Sequence, residues 1–575
     1  MKDSNSHQKV RTKTPFVRIR NLALRTGLLG LLGAGISFAA NPKLSPELEG
    51  IAATTPVDVI IQFRHTPTLS HHAKILVRGG YVLRSLETVN GGAYRLTAEK
   101  LAELADDPEV TYISPDHPVH GTLQFAEPAI NANIAFQHGY DGTGVGVAII
   151  DSGIMTHPDT SNRIVYNENF VPNIGNDYFD RYGHGTHVAG IVGGDAVESA
   201  GPIYTHTFRG IAPNVELINL RVLDINGAGQ DSSVIAAIQR AIQLKNTYNI
   251  RIINLSLGRP VTGSYTQDPL CQAVEQAWNA GIVVVVAAGN QGRNNSANTY
   301  GYGTIAAPGN DPYVITVGAM KDMGTVTRTD DLVASYSSKG PTLIDHIVKP
   351  DIVAPGNMII STVPAGLALT NTYPQNRTND QYYMLNGPNQ ASDYYFMLSG
   401  TSMAAPMVSG AAALLLQQNP NLTPDAIKAK LMKTATKTFP TSSTATDPVT
   451  GRVYTSYYDM FTIGAGYLDA WAALNNTDVF PASASAQSPA VQYNASTGVS
   501  LVTGSNVVWG SNVVWGSNVV WGSSILSGTN VVWGSNVVWG SSSMTGFNVV
   551  WGSNVVWGSG TPQGELSKIA ILGEN

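Results

Sequence analysis

Five short runs rich in β-branched residues, Val145–Ile150, Val215–Val222, Ile250–Leu255, Ile282–Ala287 and Val314–Val317, are interleaved with stretches of helical apolar spacing. Those stretches include Asp231–Leu244 and Pro269–Ala280. Continuous Val/Ile runs lack the polar alternation of a half-exposed strand, so both faces need covering, and the intervening helices supply the cover. The pattern therefore predicts an α/β unit on a parallel sheet with helices on both faces. Helices also fit Ser402–Gln417 and Thr423–Thr434, the latter opened by an N-cap threonine with Pro424 at the first helical position. The globular region is expected to end near Gly466-Tyr467-Leu468-Asp469-Ala470.

The flanks of this unit read differently. Lys9, Arg11, Lys13, Arg18, Arg20 and Arg25 precede an apolar stretch from Gly27 to Ala40, the pattern of a secretory signal peptide cut after about Ala39. An uncleaved anchor is the alternative, but the run is shorter than the ~20 residues that span a bilayer. From about Val57 to Val119, four short strand-like segments and two helical ones predict a small α+β sandwich. Ala482 to Thr503 is Ser/Ala-rich and reads as a linker. The hexad Gly-Ser-Asn-Val-Val-Trp then repeats, with Trp509, Trp515, Trp521, Trp533, Trp539, Trp551 and Trp557 in phase. Six is a multiple of two, so an extended chain places every Trp on one face, whereas a helix scatters them. Short strands stacked as a solenoid or meander are the expectation, either as a platform for polysaccharide, cell envelope or insoluble protein, or as a packing or secretion-related appendage without a specific ligand.

Bulk composition narrows the function. A net charge of −6 with 13% charged residues gives no reason to expect a nucleic-acid partner. The lone Cys271 excludes an intramolecular disulfide, and its place on a helix predicts a buried small hydrophobe.

Three segments carry chemistry-bearing side chains. Ile149-Ile150-Asp151-Ser152-Gly153 places a carboxylate at the carboxyl end of a buried strand, where open α/β sheets bind ligands, though a lone Asp there is as often a loop cap. Tyr182-Gly183-His184-Gly185-Thr186-His187 sets a histidine between two glycines that permit close backbone approach. His187 adds no third ligand at metalloprotease spacing. Leu398-Ser399-Gly400-Thr401-Ser402-Met403-Ala404 runs into an apolar helix. Ser402 therefore sits at a helix N-terminus that favours a developing anion, or serves simply as an N-cap.

Together, in the order Asp…His…Ser, these segments resemble the signatures of the subtilisin-like serine proteases, an order known for that family. Ala287-Ala288-Gly289-Asn290, Asn254-Leu255-Ser256-Leu257-Gly258, Gly227-Ala228-Gly229, Ser337-Ser338-Lys339-Gly340-Pro341 and Lys349-Pro350-Asp351-Ile352-Val353-Ala354-Pro355-Gly356 resemble further family segments. The resemblance implies a catalytic triad of Asp151, His184 and Ser402, and an oxyanion hole completed by Asn290. It also implies extended substrate binding along Gly227, Ala228, Gly229, Ser256, Leu257 and Gly258, with Ala306 flooring the first specificity pocket. Protein or peptide substrates follow, with no cofactor for catalysis. The segment before the catalytic unit resembles an inhibitory propeptide, an intramolecular inhibitor released by self-cleavage between His120 and Phe125.

The resulting organisation is a signal peptide at 1–39, a propeptide at 40–122, a catalytic domain at 123–478, a linker at 479–503, hexad repeats at 504–560 and a tail at 561–575. The expected product is a secreted, self-processing endopeptidase with no membrane span in its mature form. The rival reading is a catalytically idle protein that binds surfaces through its Trp-rich repeats. Gly193 to Gly210 lacks an Asn-rich calcium loop, so structural calcium has no clear motif here, although scattered oxygen ligands would leave none. Thr362 to Phe396 is read as an insertion flanking the cleft, or else as a surface loop without catalytic effect.

Overall fold

The β-branched runs become one sheet. The computed structural model describes residues 41–115 apart from 42, 46–47, 49–50 and 87–89; 123–502 apart from 296–298, 448–449, 481–484 and 495–497; and the pieces 520–521, 531–532 and 573–574. The chain divides into two units, Met1–Pro118 and Val119–Asn575. The signal-peptide reading, the self-cleavage interval up to Thr122 and all but two dipeptides of the hexad repeats lie outside the described residues. Those dipeptides, Val520–Trp521 and Val531–Val532, pair antiparallel.

In the first unit, β1 (Pro56–Phe63), α1 (Leu69–Leu76), β2 (Tyr81–Leu86), β3 (Gly91–Thr97), α2 (Ala98–Ala105) and β4 (Val110–Pro115) form an antiparallel sheet of order β2-β3-β1-β4. Val59, Ile61 and Phe63 alternate inward along β1 and bury with Ile75, Leu101 and Leu104 of the helices. This is the expected α+β sandwich.

The second unit opens with α3 (Leu123–Ala129), α4 (Ala132–Gln137), β5 (Gly146–Asp151), α5 (Pro158–Ser161), β6 (Ile164–Asn169) and α6 (His184–Gly193). It continues through β7 (Glu216–Arg221), α7 (Asp231–Leu244), β8 (Ile250–Leu255), α8 (Pro269–Asn279), β9 (Val283–Ala287), β10 (Ile315–Lys321), β11 (Leu332–Val333) and β12 (Ile352–Pro355). The sheet order is β11-β10-β9-β8-β5-β7-β6, with β12 also on β10. All pairings are parallel except β10 with β11. The long helix α11 (Thr401–Gln418) is apolar on nearly every side and buried from Met403 to Leu416, as its composition requires. β6 escapes the sequence pattern because it is an edge strand with alternating exposure and a polar end.

The long insertion is folded. Its α9 (Ala368–Thr372), β14 (Arg377–Asn379), α10 (Asp380–Tyr383) and β15 (Ala391–Leu398) follow β13 (Ile359–Thr362), and the three strands pair in the order β13-β15-β14. The Ser/Ala-rich stretch read as a linker also departs from expectation. Ala490–Asn494 pairs with Gly498–Val502, and Ser488 and Val491 are buried within the second unit. Ser488 docks because a buried charge cluster needs its hydroxyl. Lys428 Nζ donates to the carbonyls of Pro312, Tyr313 and Val314 and to Ser488 Oγ, while Ser488 Oγ donates to Asp351. Asp351 lies 2.7 Å from Lys349 Nζ and 3.2 Å from Lys428 Nζ. Burial pulls the Lys428 pKa down to about 7, against the nearby Asp351 carboxylate. Removing one member of such a cluster strands the others without water. Asp351→Ala in a Ser402→Ala background is expected to lose about 3–5 kcal/mol in denaturant unfolding; a loss under about 1 kcal/mol would contradict this role.

Candidate active site

Asp151 ends β5 with its side chain fully buried. Its Oδ1 accepts the Ser152 backbone N–H at 2.7 Å and lies 2.8 Å from His184 Nδ1. An ionised carboxylate only accepts, so this contact puts the proton on Nδ1 and leaves Nε2 as the basic nitrogen. His184 is the first residue of α6, and a Cβ on Gly185 would collide with the Gly153 carbonyl oxygen and crowd Asp151. Glycine is required there for the helix to approach the strand end this closely.

Asp180 was not singled out in the sequence, yet it holds this turn together. Its Oδ1 accepts from the N–H groups of Tyr182 (2.9 Å) and Gly183 (2.8 Å), and its Oδ2 from Thr186 N–H (2.9 Å) and Oγ1 (2.6 Å). An acidic residue just before the start of an apolar helix was the available signal, since early helical N–H groups need such acceptors. Burial opposes the His184 imidazolium, but the Asp151 charge and hydrogen bond, with Asp180 further off, outweigh it and raise the His184 pKa. His187, three residues on, is different. It is buried, its Nε2 lies 3.0 Å from the carbonyls of Ile359 and Phe396, and desolvation pulls its pKa down to about 3. It is a neutral strut between α6 and the insertion.

Ser402 is the second residue of α11, and its Oγ donates to the Ser256 carbonyl at 3.0 Å. The end of β8 is stitched to the helix in return. Asn254 Nδ2 donates to Ser256 Oγ (2.9 Å), Ser256 Oγ to the Ser402 carbonyl (2.7 Å), and Ser409 Oγ to Asn254 Oδ1 (2.8 Å). Asn290 follows β9. Its Oδ1 accepts from Thr401 N–H (2.9 Å) and Oγ1 (3.1 Å), which fixes the amide with Nδ2 as the available donor. Thr401 Oγ1 also accepts from Gly289 N–H at 3.0 Å. The structure thus brings Asp151 to His184, and Asn290 and Ser256 to the start of the Ser402 helix.

A cleft of about 420 Å³ is lined by Tyr182, His184, Gly227–Gly229 and Ser256–Gly258, with Asp231 and Arg259 at one side. Ala228 has both backbone groups engaged in its own turn, with Asp224, whereas Gly229, Leu257 and Gly258 have backbone groups without an internal partner among the described residues. Ala306 is not among the residues that line this cleft; a Cβ on Gly258 or Gly289 would come 3.0 or 3.2 Å from its Cβ. The insertion braces the cleft wall from outside, because Leu369 N–H donates to the Tyr182 carbonyl and Ala368 N–H to that of Arg181. After α6 the chain is held by Asp159, which accepts from Glu198 N–H (2.9 Å) and Tyr395 OH (2.6 Å). Among the described residues, no three His, Cys, Asp or Glu side chains are grouped to hold a metal ion. Cys271 is buried beside Asn310, and desolvation raises its thiol pKa.

The subtilase family profile matches residues 142–452, more than half of the chain. The chain belongs to the subtilase family. Serine protease AprX of Bacillus subtilis (strain 168) is 39% identical over 325 residues, 55% of this chain and 67% of that protein. Subtilisin E of the same strain is 35% identical over 392 residues, 67% of this chain and 86% of the relative. An alkaline protease of Alkalihalobacillus alcalophilus is 32% identical over 358 residues, covering 62% and 76%. As a subtilase the protein is a serine endopeptidase, a class that needs no cofactor for catalysis. Its sheet with flanking helices is the mixed α/β architecture expected of the family.

The Asp180 contacts generate a prediction. In a Ser402→Ala subtilase, Asp180→Ala should lower stability by about 0.5–2 kcal/mol through loss of the helix cap. It should also shift the His184 NMR titration to lower pH, because a carboxylate favouring the imidazolium is gone. An upward or unchanged titration would contradict this electrostatic assignment.

Proposed function

We propose that this subtilase is a secreted, self-processing zymogen that cleaves protein and peptide substrates through Asp151, His184 and Ser402. The observation that carries the reading is the 2.8 Å contact between the buried Asp151 carboxylate and His184 Nδ1, at a cleft whose backbone edges are Gly229 and Gly258. A substrate in extended form pairs with those edges, so recognition rests on main-chain hydrogen bonds with side-chain pockets adding preference. Ser402 Oγ turns from the Ser256 carbonyl toward His184 Nε2, which takes its proton as the oxygen attacks the scissile carbonyl. Catalytic hydrogen bonds commonly tighten only once substrate is bound.

The tetrahedral oxyanion is received by the Ser402 N–H, at the N-terminus of α11, and by Asn290 Nδ2. His184 then gives its proton to the leaving amine, the acyl-enzyme forms, and water repeats the cycle in reverse. Asp151 holds the imidazole tautomer and stabilises the imidazolium throughout. Residues 1–39 direct export, and the α+β unit that follows acts as the propeptide, cut between His120 and Phe125.

Two measurements test this. Asn290→Ala should lower kcat by about 10²–10³ with KM little changed, the cost of removing one oxyanion donor. Amino-terminal sequencing of protein expressed from residue 40 should show loss of the segment up to about His120 in wild type but not in Ser402→Ala. Full-length chains in both preparations would contradict self-processing.

A further inference from the structure

Far along the chain from the catalytic segments, Gly573 and Glu574 lie in a built receptor on the subtilase unit. The Glu574 side chain is 5% exposed, and the Arg293 side chain that meets it is 3% exposed. Arg293 Nη2 donates to Glu574 Oε2 at 2.6 Å, Nη1 to Asp447 at 3.0 Å and Nε to Ser335 Oγ at 2.6 Å, while the Tyr454 ring stacks on the guanidinium. Ser335 N–H donates to Glu574 Oε1 at 2.8 Å, Ser335 Oγ bonds Oε2, and Lys321 Nζ lies 3.6 Å from Oε1. The backbone is read as well. Glu574 N–H donates to Asn357 Oδ1 at 3.0 Å, and Asn357 Nδ2 donates to the Glu574 carbonyl at 2.8 Å. A Cβ on residue 573 would come within 2.7 Å of Met358 Cγ and Ser399 Oγ, and Gly573 has φ +77°, so both space and backbone conformation call for glycine.

Side chain, backbone and the preceding residue are thus all specified, and an anionic occupant gives the buried guanidinium a second carboxylate beside Asp447. The receptor's walls are the segments that carry the reactive groups. Arg293 lies three residues after Asn290, and Gly292 N–H donates to the Tyr336 carbonyl beside Ser335. Asn357 and Met358 adjoin Gly356, whose carbonyl accepts from both Tyr336 OH and Gly400 N–H. Met358 N–H donates to Ser399 Oγ, three residues before Ser402.

We propose that Gly573–Glu574 is the built-in ligand of a Gly-Glu receptor on the subtilase unit, and that its docking positions the Asn290 and Ser402 segments for turnover. Glu574 is a positioning residue here, and the kinetic part rests on the catalytic roles assigned above to Asn290 and Ser402. The chain holds one other Gly-Glu pair, Gly564–Glu565, which supplies an internal control.

The test compares full-length wild type, Glu574→Gln and Glu565→Gln. Amide exchange is read in the Ser402→Ala background and kinetics in the active enzyme. Losing the charge-assisted bonds should speed exchange at the Ser335 amide by about tenfold or more. With a short peptide substrate, kcat should fall about tenfold and KM change by less than twofold, the signature of misplaced catalytic groups rather than lost substrate contacts. Free peptide Ile-Leu-Gly-Glu-Asn should restore kcat, its Gln counterpart should not, and Glu565→Gln should match wild type. Unchanged exchange in Glu574→Gln, or an equal effect of Glu565→Gln, would overturn the receptor. Faster exchange with unchanged kcat would overturn the positioning role. An inactive wild type would instead count against the assigned catalytic roles, while the exchange measurement still reports docking.

Discussion

A carboxylate with no exposed surface, Asp151, is the constraint around which the site is arranged. It sits at the end of a central strand, where the sheet excludes water, and its charge is met by the Ser152 N–H and the His184 ring. Those two contacts dictate the rest. The imidazole needs a helix start within reach of the strand, which requires glycine beside it, and that helix start needs its own acceptor in Asp180. The resulting pair of buried acids raises the proton affinity of His184 despite desolvation. The histidine is thus a stronger base than its burial alone would make it.

The same solution recurs away from the cleft. Asp351 is bracketed by Lys349, Lys428 and Ser488, and Arg293 by Asp447 and Glu574, all nearly or fully buried. Each cluster joins segments distant in sequence: 312–314, 349–351, 428 and 488 in the first, 293, 335, 357, 447 and 574 in the second. Buried ion pairs contribute little to net stability compared with apolar packing, but breaking one is costly. They act here as registers that fix where late segments of the chain dock. That explains why residues near 488 and 574 belong to the second unit despite compositions that read as linker and tail.

Legibility in the sequence followed the physics of each element. Strands buried on both faces announce themselves by unbroken Val/Ile runs, so Ile250–Leu255 and its neighbours were placed within a residue or two, except that β10 runs four residues past Val317. Helix α12 (Pro424–Thr434) shows its threonine cap and its proline, and Thr423 Oγ1 indeed accepts from Ala426 N–H at 3.1 Å. The edge strand β6 and the insertion strands β14 and β15 were missed because part-exposed strands lack a distinctive period, and the fully buried β13 because four residues are too few to show one. Within the site, Asp151, His184, Asn290 and Ser402 were marked by their flanking glycines and small residues. Asp180, Ser152, Thr401 and Asn254 act through hydrogen bonds to backbone and neighbouring side chains, a role that leaves little trace in one sequence. Glu574 was invisible for the same reason, because its partners Arg293, Lys321, Ser335 and Asn357 are scattered along the chain.

Labelling the purified wild-type protein with a fluorophosphonate, which traps a serine made nucleophilic by a neighbouring base, addresses the central assignment most directly. Peptide mapping should locate a single adduct on Ser402, abolished by His184→Ala and accompanied by complete loss of proteolysis. An adduct on another serine, or undiminished proteolysis after Ser402 is fully modified, would contradict the account.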